Sequence, residues 1–398
     1  MNRLMRMPTG RPVTRRANPT SPADAAQGDG SVPLDPPPAG AATVRCDQAI
    51  FTSIRTPTGE GYRIVAHSPG VSYDERAELT RRSPSHGALA SGDAGAHGML
   101  VFALADQRYA VGHCVYAGAE HTARGGQRVW THYAVLDDAT YAAFGFNPIR
   151  VQRALAVSGQ AGGNPPQALE PLALPAWERV DIAQHLGDAA GAEALIRLMD
   201  AYVRGGIWAI AGVPQTPRSV EWALDLLPRA HRRGVSLSCG LAFCLGRNLG
   251  VTLVDSIGNG LDRLIRGHNV TLRDVAAECA LTAAFAPWYG LIRAWAPAQR
   301  WGRISRYTAR LTGPLDAEVL ARLAQISLDQ DVADRADEET KAALRDKYAD
   351  FTPNGDIEGE LLINLRAAIA PPPVPAEQDS HIQDLPPRVR INDGTELT

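Results

Sequence analysis

The sequence predicts an α+β amino-terminal domain followed by an α/β unit with a helical carboxyl-terminal extension, with disordered termini at both ends. Three observations predict it. Between Val44 and Leu136 short β-rich runs alternate with turn residues, and one amphipathic helix interrupts them. From Ile207 to Asp255 the order is an apolar run, a polar Pro-containing loop, an amphipathic helix and two more β-rich runs. That is the order of a parallel strand pair with a crossover helix. After Asp255 the apolar period becomes helical throughout.

The 398 residues suffice for two ordered domains, each with its own core. Residues 1–44 are rich in Pro, Gly, Ala, Thr and Arg without hydrophobic period, and 371–398 opens on PPPVPAEQDS; both are expected to be disordered. Residues 45–156 form the α+β domain, and 157–174 (VSGQAGGNPPQALEPLAL) read as a linker. Residues 175–258 form the α/β unit and 259–370 the helical extension.

Element by element, AIFTSI and YRIVAHS around the turn TPTGEG predict a hairpin. SYDERAELTRR predicts a helix opened by Ser72 or Pro69-Gly70, with Asp74 and Glu75 early and Arg81 and Arg82 late, complementing its dipole. A Gly- and Ser-rich loop precedes MLVFALAD, RYAVGHCVYAG and RVWTHYAVL, three further strands. DDATYAAFGFNPIRVQRAL is helical, with Asp137 or Asp138 as a cap and Asn147-Pro148 as a stop and restart. GAEALIRLMDAYVRG is an amphipathic helix. In the next one, Val220, Ala223, Leu224 and Leu227 recur at i, i+3, i+4 and i+7, with Ser219 able to cap its start and Gly234 closing the turn beyond Pro228. LDRLIRG, TLRDVAAECALTAAFA, LDAEVLARLAQISL, DEETKAALRDKYADF and IEGELLINLRAAI read as helices.

Composition excludes several function classes. A net charge of -3 argues against nucleic acid, and the only lysines are Lys341 and Lys347. No apolar run approaches the ~20 residues of a membrane span, and no apolar signal core follows the basic first residues. A soluble, cytoplasmic protein is expected. The five cysteines (Cys46, Cys114, Cys239, Cys244, Cys279) suit neither a zinc site nor a redox pair and are expected to be reduced and mostly buried.

The loop from Gly212 to Ser219 is placed like a phosphate loop at the carboxyl edge of a sheet. It lacks the Gly-Lys-Ser/Thr ending, and Pro214 and Pro217 remove amide donors. It reads as a structural turn; an anion or nucleotide site using it and Arg232 is the alternative. Arg229, Arg232 and Arg233 read first as a solvated helix C-terminus. Cys114 and His132 are candidates for a nucleophile and its base, set against a core cysteine and a satisfied histidine, because His113 is adjacent to Cys114 and points the other way. His86, His97, His113 and His121 show no metal-ligand spacing, and neither metal nor cofactor is expected. Trp288, Trp295 and Trp301, interleaved with Arg293, read as a packed helix junction or a partner-binding surface.

Two segments together carry a resemblance. Thr52, Ser53, Gly61, Tyr62, Ser68, Pro69, Gly70, His132, Asn147 and Pro148 in the first region, with Leu227, Pro228, Arg232, Ser236, Ser238, Gly240 and Leu241 in the second, resemble the bacterial GTPase-associated protein 1 family. The resemblance spans roughly residues 46–260. It implies a non-enzymatic adaptor or scaffold working beside a small GTPase and other proteins in a bacterial conflict or stress-response system. A hydrolase using His132 with Cys114 is the alternative.

Overall fold

A computed structural model describes residues 38–371 apart from 39, 58, 94, 121–125, 159–163, 178–188, 214–216, 276–279, 299, 312 and 314–315. The terminal segments expected to be disordered lie almost wholly outside the described residues. The chain divides into two compact units, Met1–Ala317 and Glu318–Thr398. The division falls within the expected helical extension and not at 157–174.

The first unit is built on a mixed ten-stranded sheet. β1 (Ala42–Thr56) and β2 (Gly59–His67) form the expected hairpin, with a bulge between Ile50 and Phe51. α1 (Tyr73–Arg82) opens on a capping box in which Ser72 accepts from the Glu75 amide and Glu75 accepts from the Ser72 amide. β3 (His97–Ala103), β4 (Tyr109–Ala119) and β5 (Gln127–Leu136) are the three expected strands, antiparallel in sequence order, and β5 pairs with β1. α2 (Asp138–Ala142) is capped by Asp137, and α3 (Pro148–Val157) by Asn147 with Pro148 in its first turn. β6 (Leu172–Ala176) lies in and just after the segment expected to be a linker. It pairs with the start of β1, Ala42 opposite Ala176, so the first region closes on itself.

α4 (Ala189–Arg204) leads to β7 (Ile207–Ala211), then α5 (Pro217–Asp225), α6 (Arg229–Arg232), β8 (Leu237–Cys239) and β9 (Val251–Leu253). β7 and β8 run parallel as expected, but β9 lies between them. α7 (Asn259–Ile265) follows, then β10 (Val270–Asp274), read from sequence as the start of a helix. It is an edge strand parallel to β7: Val270 and Leu272 pack against Ala209 and Ala211, while Arg273 bonds Asp200 on α4 at 3.0 Å. Five residues with alternating partners satisfy their backbone in the sheet and need no helix. α8 (Ala286–Trp295) and α9 (Trp301–Arg310) complete the unit.

The antiparallel and parallel halves are one sheet because β3 pairs with β8, Leu100 opposite Ser238. Glycines permit this close approach. Gly240 has φ +68°, and a Cβ there would stand 2.3 Å from the His97 carbonyl oxygen; one on Gly98 would stand 2.4 Å from Leu241. Phe51, Leu79, Leu100, Phe102 and Tyr133 make the core on the α1 side, continuous with Leu241 and Leu249 of the second half. Ile50, Val115, Trp130 and Leu169 make the core on the other face. The second unit comprises α10 (Ala317–Ala333), α11 (Glu338–Lys347, capped by Asp337) and α12 (Asp356–Ala368). Within it Leu320, Leu323, Leu361 and Leu365 are buried, and Arg322 bonds Glu358 at 2.8 Å.

Candidate functional site

The structure does not bring Cys114 and His132 together. Strand register places Cys114 opposite Thr131 and His113 opposite His132, so alternation puts the thiol on one face and both imidazoles on the other. Cys114 accepts from Thr131 Oγ1 at 3.4 Å, and burial pushes its thiol up to about 12. His132 Nε2 is 2.8 Å from Gln48 Oε1, and burial pushes this histidine down to about 4. The one-residue offset along an alternating strand decides the point, and it removes the nucleophile–base pair. Cys46, Cys114 and Cys239 are buried thiols in no disulfide and Cys244 is an exposed one, while Cys279 and His121 lie outside the described residues.

His113 is held down further, to about 3, by burial and by His97 and His132. Its Nε2 lies 3.3 Å from His97 Nδ1, with the rings 13° from coplanar and their centroids 5.5 Å apart. The nitrogen separation takes up most of the centroid distance, so the rings meet edge to edge in an in-plane hydrogen bond. Among the described residues no group of three or more His, Cys, Asp or Glu is placed to hold a metal ion.

Arg232 is neither a solvated cap nor poised for an anion. It is 2 % exposed, and its guanidinium donates to Asp225 Oδ1 at 2.9 Å, to the Leu227 and Gly145 carbonyls and to Thr308 Oγ1. It belongs to a buried ionic cluster. Arg150 on α3 bonds Glu221 and Asp225 on α5 at 3.2 and 2.5 Å, Arg153 bonds Glu221 at 2.8 Å, and Asn147 donates to Asp225 Oδ1 at 3.2 Å. Burial still holds the Glu221 carboxyl above its ordinary value, against the pull of Arg150 and Arg153. The cluster clamps α3 to α5 and α6. Of the anion loop, residues 214–216 lie outside the described residues, though Gly212 follows β7 at the carboxyl edge as expected.

The described aromatic side chains of the 288–301 stretch are core. Trp288 and Trp295 are buried, and Arg293 reaches back to Glu193 on α4 at 2.9 Å. Trp301 opens α9, and its side chain lies outside the described residues. A packed junction between α4, α8 and α9 is the result.

Three motif residues of the first region, Tyr62, Ser68 and Gly70, sit in a network of hydrogen bonds and close contacts. Ser68 donates to Asp47 at 2.8 Å and accepts from the Gln48 amide at 2.9 Å. Arg108 bonds Asp47 at 2.6 Å, the Gly70 carbonyl at 2.9 Å and Glu75 at 2.9 Å. Gly70 has no room for a side chain, because a Cβ would meet the Asp47 carboxylate at 2.3 Å. Tyr62 donates to the buried Glu120 at 2.5 Å and accepts from the Val129 amide. These bonds fix the hairpin and the start of α1.

What the sequence reading missed is a groove at the carboxyl ends of β8 and β9, with a volume of about 300 Å³. Leu241, Phe243, Val254 and Leu261 line it, Asp255 and Ser256 stand at its rim, and Leu264 of α7 is 58 % exposed beside it. Carboxyl edges of parallel strands are where α/β sheets take ligands and partners. The signal available in the sequence was an apolar i, i+3 pair, Leu261 and Leu264, on a short helix just past a strand. Among the described residues no helix is long and apolar enough to cross a membrane.

A family model described as GTPase-associated protein 1, N-terminal domain type 2, matches residues 45–178. No curated protein and no solved structure matches. The matched span begins in β1 and ends just past β6, the two strands that pair to close the first region. Residues 45–178 therefore match the N-terminal domain, type 2, of the GTPase-associated protein 1 family, the family that the motif residues of this region resemble.

Proposed function

We propose that the protein is a non-catalytic adaptor that binds a small GTPase within a bacterial conflict or stress-response system, with the carboxyl-edge groove as its contact surface. The observation that carries it is the family match of residues 45–178, whose description names GTPase association. Two features favour binding over chemistry. The thiol and imidazole that could have formed a catalytic pair face opposite sides of the sheet, and the open groove beside Leu264 is apolar, with a single carboxylate at its rim. Apolar residues in a concave patch are the usual centre of a protein contact, surrounded by a polar rim.

The test is affinity capture from the native organism with the tagged full chain, with and without a non-hydrolysable GTP analogue, followed by identification of any GTPase recovered. A GTPase should be recovered, with nucleotide-dependent yield. Leu264→Glu should cut recovery about tenfold or more, the scale of a lost apolar anchor, at unchanged melting temperature. Recovery of no GTPase in either nucleotide state refutes the adaptor function. Equal recovery with Leu264→Glu retains the function and refutes the groove.

A further inference from the structure

A second hollow lies at the opposite edge of the parallel strands, and neither the family match nor the carboxyl-edge groove involves it. We infer that this hollow, at the amino ends of β7, β8 and β9, is a binding site for a small, neutral, planar heteroaromatic ring that carries an N–H donor. Its volume is about 330 Å³, room for one such ring system, and it is bounded by the end of α4, by α6 and by the first residues of the three strands.

Four observations set the chemistry. First, among the described residues its lining holds no Asp, Glu, Lys or Arg, so a charged ligand would lose its hydration there without an ionic partner. Second, Gly205, Gly206, Gly234 and Gly250 supply much of the wall, leaving flat backbone where branched side chains would stand. Third, His231 lines the hollow and bonds the Tyr202 carbonyl, and burial lowers its pKa against the pull of that bond, favouring a ring whose other nitrogen accepts a hydrogen bond. Fourth, the hollow sits at the C-terminal end of α4, where carbonyl groups favour donors and disfavour anions.

Gly234 separates a ligand site from a mere packing defect. Gly205 and Gly206 have positive φ and are demanded by the turn into β7, and a Cβ on Gly250 would press on the Ser236 carbonyl at 3.1 Å. At Gly234 φ is not positive, and the nearest heavy atom to a Cβ would be 4.0 Å away. Neither a positive φ nor a close neighbour demands glycine there, and Gly234 is one of the residues that line the hollow.

The experiment is saturation-transfer NMR on the full chain with nicotinamide, adenine and cytosine at millimolar concentration. Nicotinate serves as a negatively charged probe of the same ring. At least one neutral probe should show transfer, nicotinate should bind about tenfold or more weakly than nicotinamide, and Gly234→Val should abolish transfer while its melting temperature stays that of the parent. If Gly234→Val melts lower, His231→Phe, which keeps the ring but removes the acceptor, decides instead and should abolish transfer. Absence of transfer from all three neutral probes overturns the inference. So does equal binding of nicotinate, or binding unaltered in the variant that decides.

Discussion

Acidification should unfold this protein through two buried histidines, and the magnitude follows from their position. His113 and His132 face each other on β4 and β5, are 5 % and 2 % exposed, and are pushed from the ordinary 6.5 to about 3 and about 4. A histidine whose folded value is depressed is neutral in the native state and protonated in the unfolded chain at intermediate pH. Its contribution is therefore intact above about 6.5 and is lost progressively as pH falls towards the folded values. Each pH unit costs about 1.4 kcal/mol per histidine, so near pH 5 each has cost about 2 kcal/mol and the pair about 4 kcal/mol. Set against a typical stability of about 5–15 kcal/mol, that is a large share.

The assay is urea denaturation at a series of pH values from 7.5 to 5, comparing the parent chain with His113→Gln/His132→Gln. Carboxylates and the remote histidines titrate in both proteins and cancel in the comparison; His97, which bonds His113, is replaced by Gln in both proteins so that it cancels too. Glutamine at 132 can still donate to Gln48 Oε1, so the variant keeps the polar character of the site. Between pH 7 and 5 the parent should lose about 4 kcal/mol more than the variant. Parallel curves, differing by less than about 1 kcal/mol over that range, would refute the claim that these two imidazoles are buried neutral.

Two other outcomes follow from the same interior. Arg150→Met removes the guanidinium that joins Glu221 and Asp225; Arg153 and Arg232 still neutralise part of the charge, so the loss should be about 3 kcal/mol by chemical denaturation, at the low end for a broken buried pair. A loss below about 1 kcal/mol would mean that α3 and α5 are held together by apolar packing alone. Cys114 should resist iodoacetamide at neutral pH in the folded chain while exposed Cys244 is labelled, as peptide mass mapping would read; rapid labelling of Cys114 would revive the hydrolase alternative.

The elements that were legible in the sequence are those whose signal is local. The hairpin of β1 and β2 announced itself through two β-rich runs around a Gly-containing turn, α1 through Ser72 or Pro69-Gly70 ahead of early acidic and late basic residues, and α3 through Asn147-Pro148. The misreadings fall where tertiary pairing overrides local pattern. Val270–Asp274 could continue a helical period, and only the free edge of β7 makes it a strand. Leu172–Ala176 sits beside a Pro- and Gly-rich stretch that looks like a linker, yet its backbone pairs with the start of β1, more than a hundred residues earlier. Arg232 is the sharpest case. At a helix end, beside Arg229 and Arg233, a solvated cap was the economical reading, and nothing local reveals that Asp225, Gly145 and Thr308 converge on it.

The two blocks that carried the family resemblance turn out to be parts of one physical object. Asn147 of the first block and Arg232 of the second bond the same carboxylate, Asp225 Oδ1, and Gly240 and Leu241 of the second meet His97 and Gly98 at the strand pair that joins the two halves of the sheet. Residues 45–178 cut out alone would leave Arg150 and Arg153 without Glu221 and Asp225, and would bare the edge of β3 that β8 now covers. An open strand edge opposes solubility as a separate piece. The chain beyond the matched span supplies the countercharges, Glu221 and Asp225, and the strand, β8, that covers the edge of β3. Because β8 is paired to β3, the groove at the carboxyl edge of β8 and the matched span 45–178 are joined by one continuous hydrogen-bonded sheet.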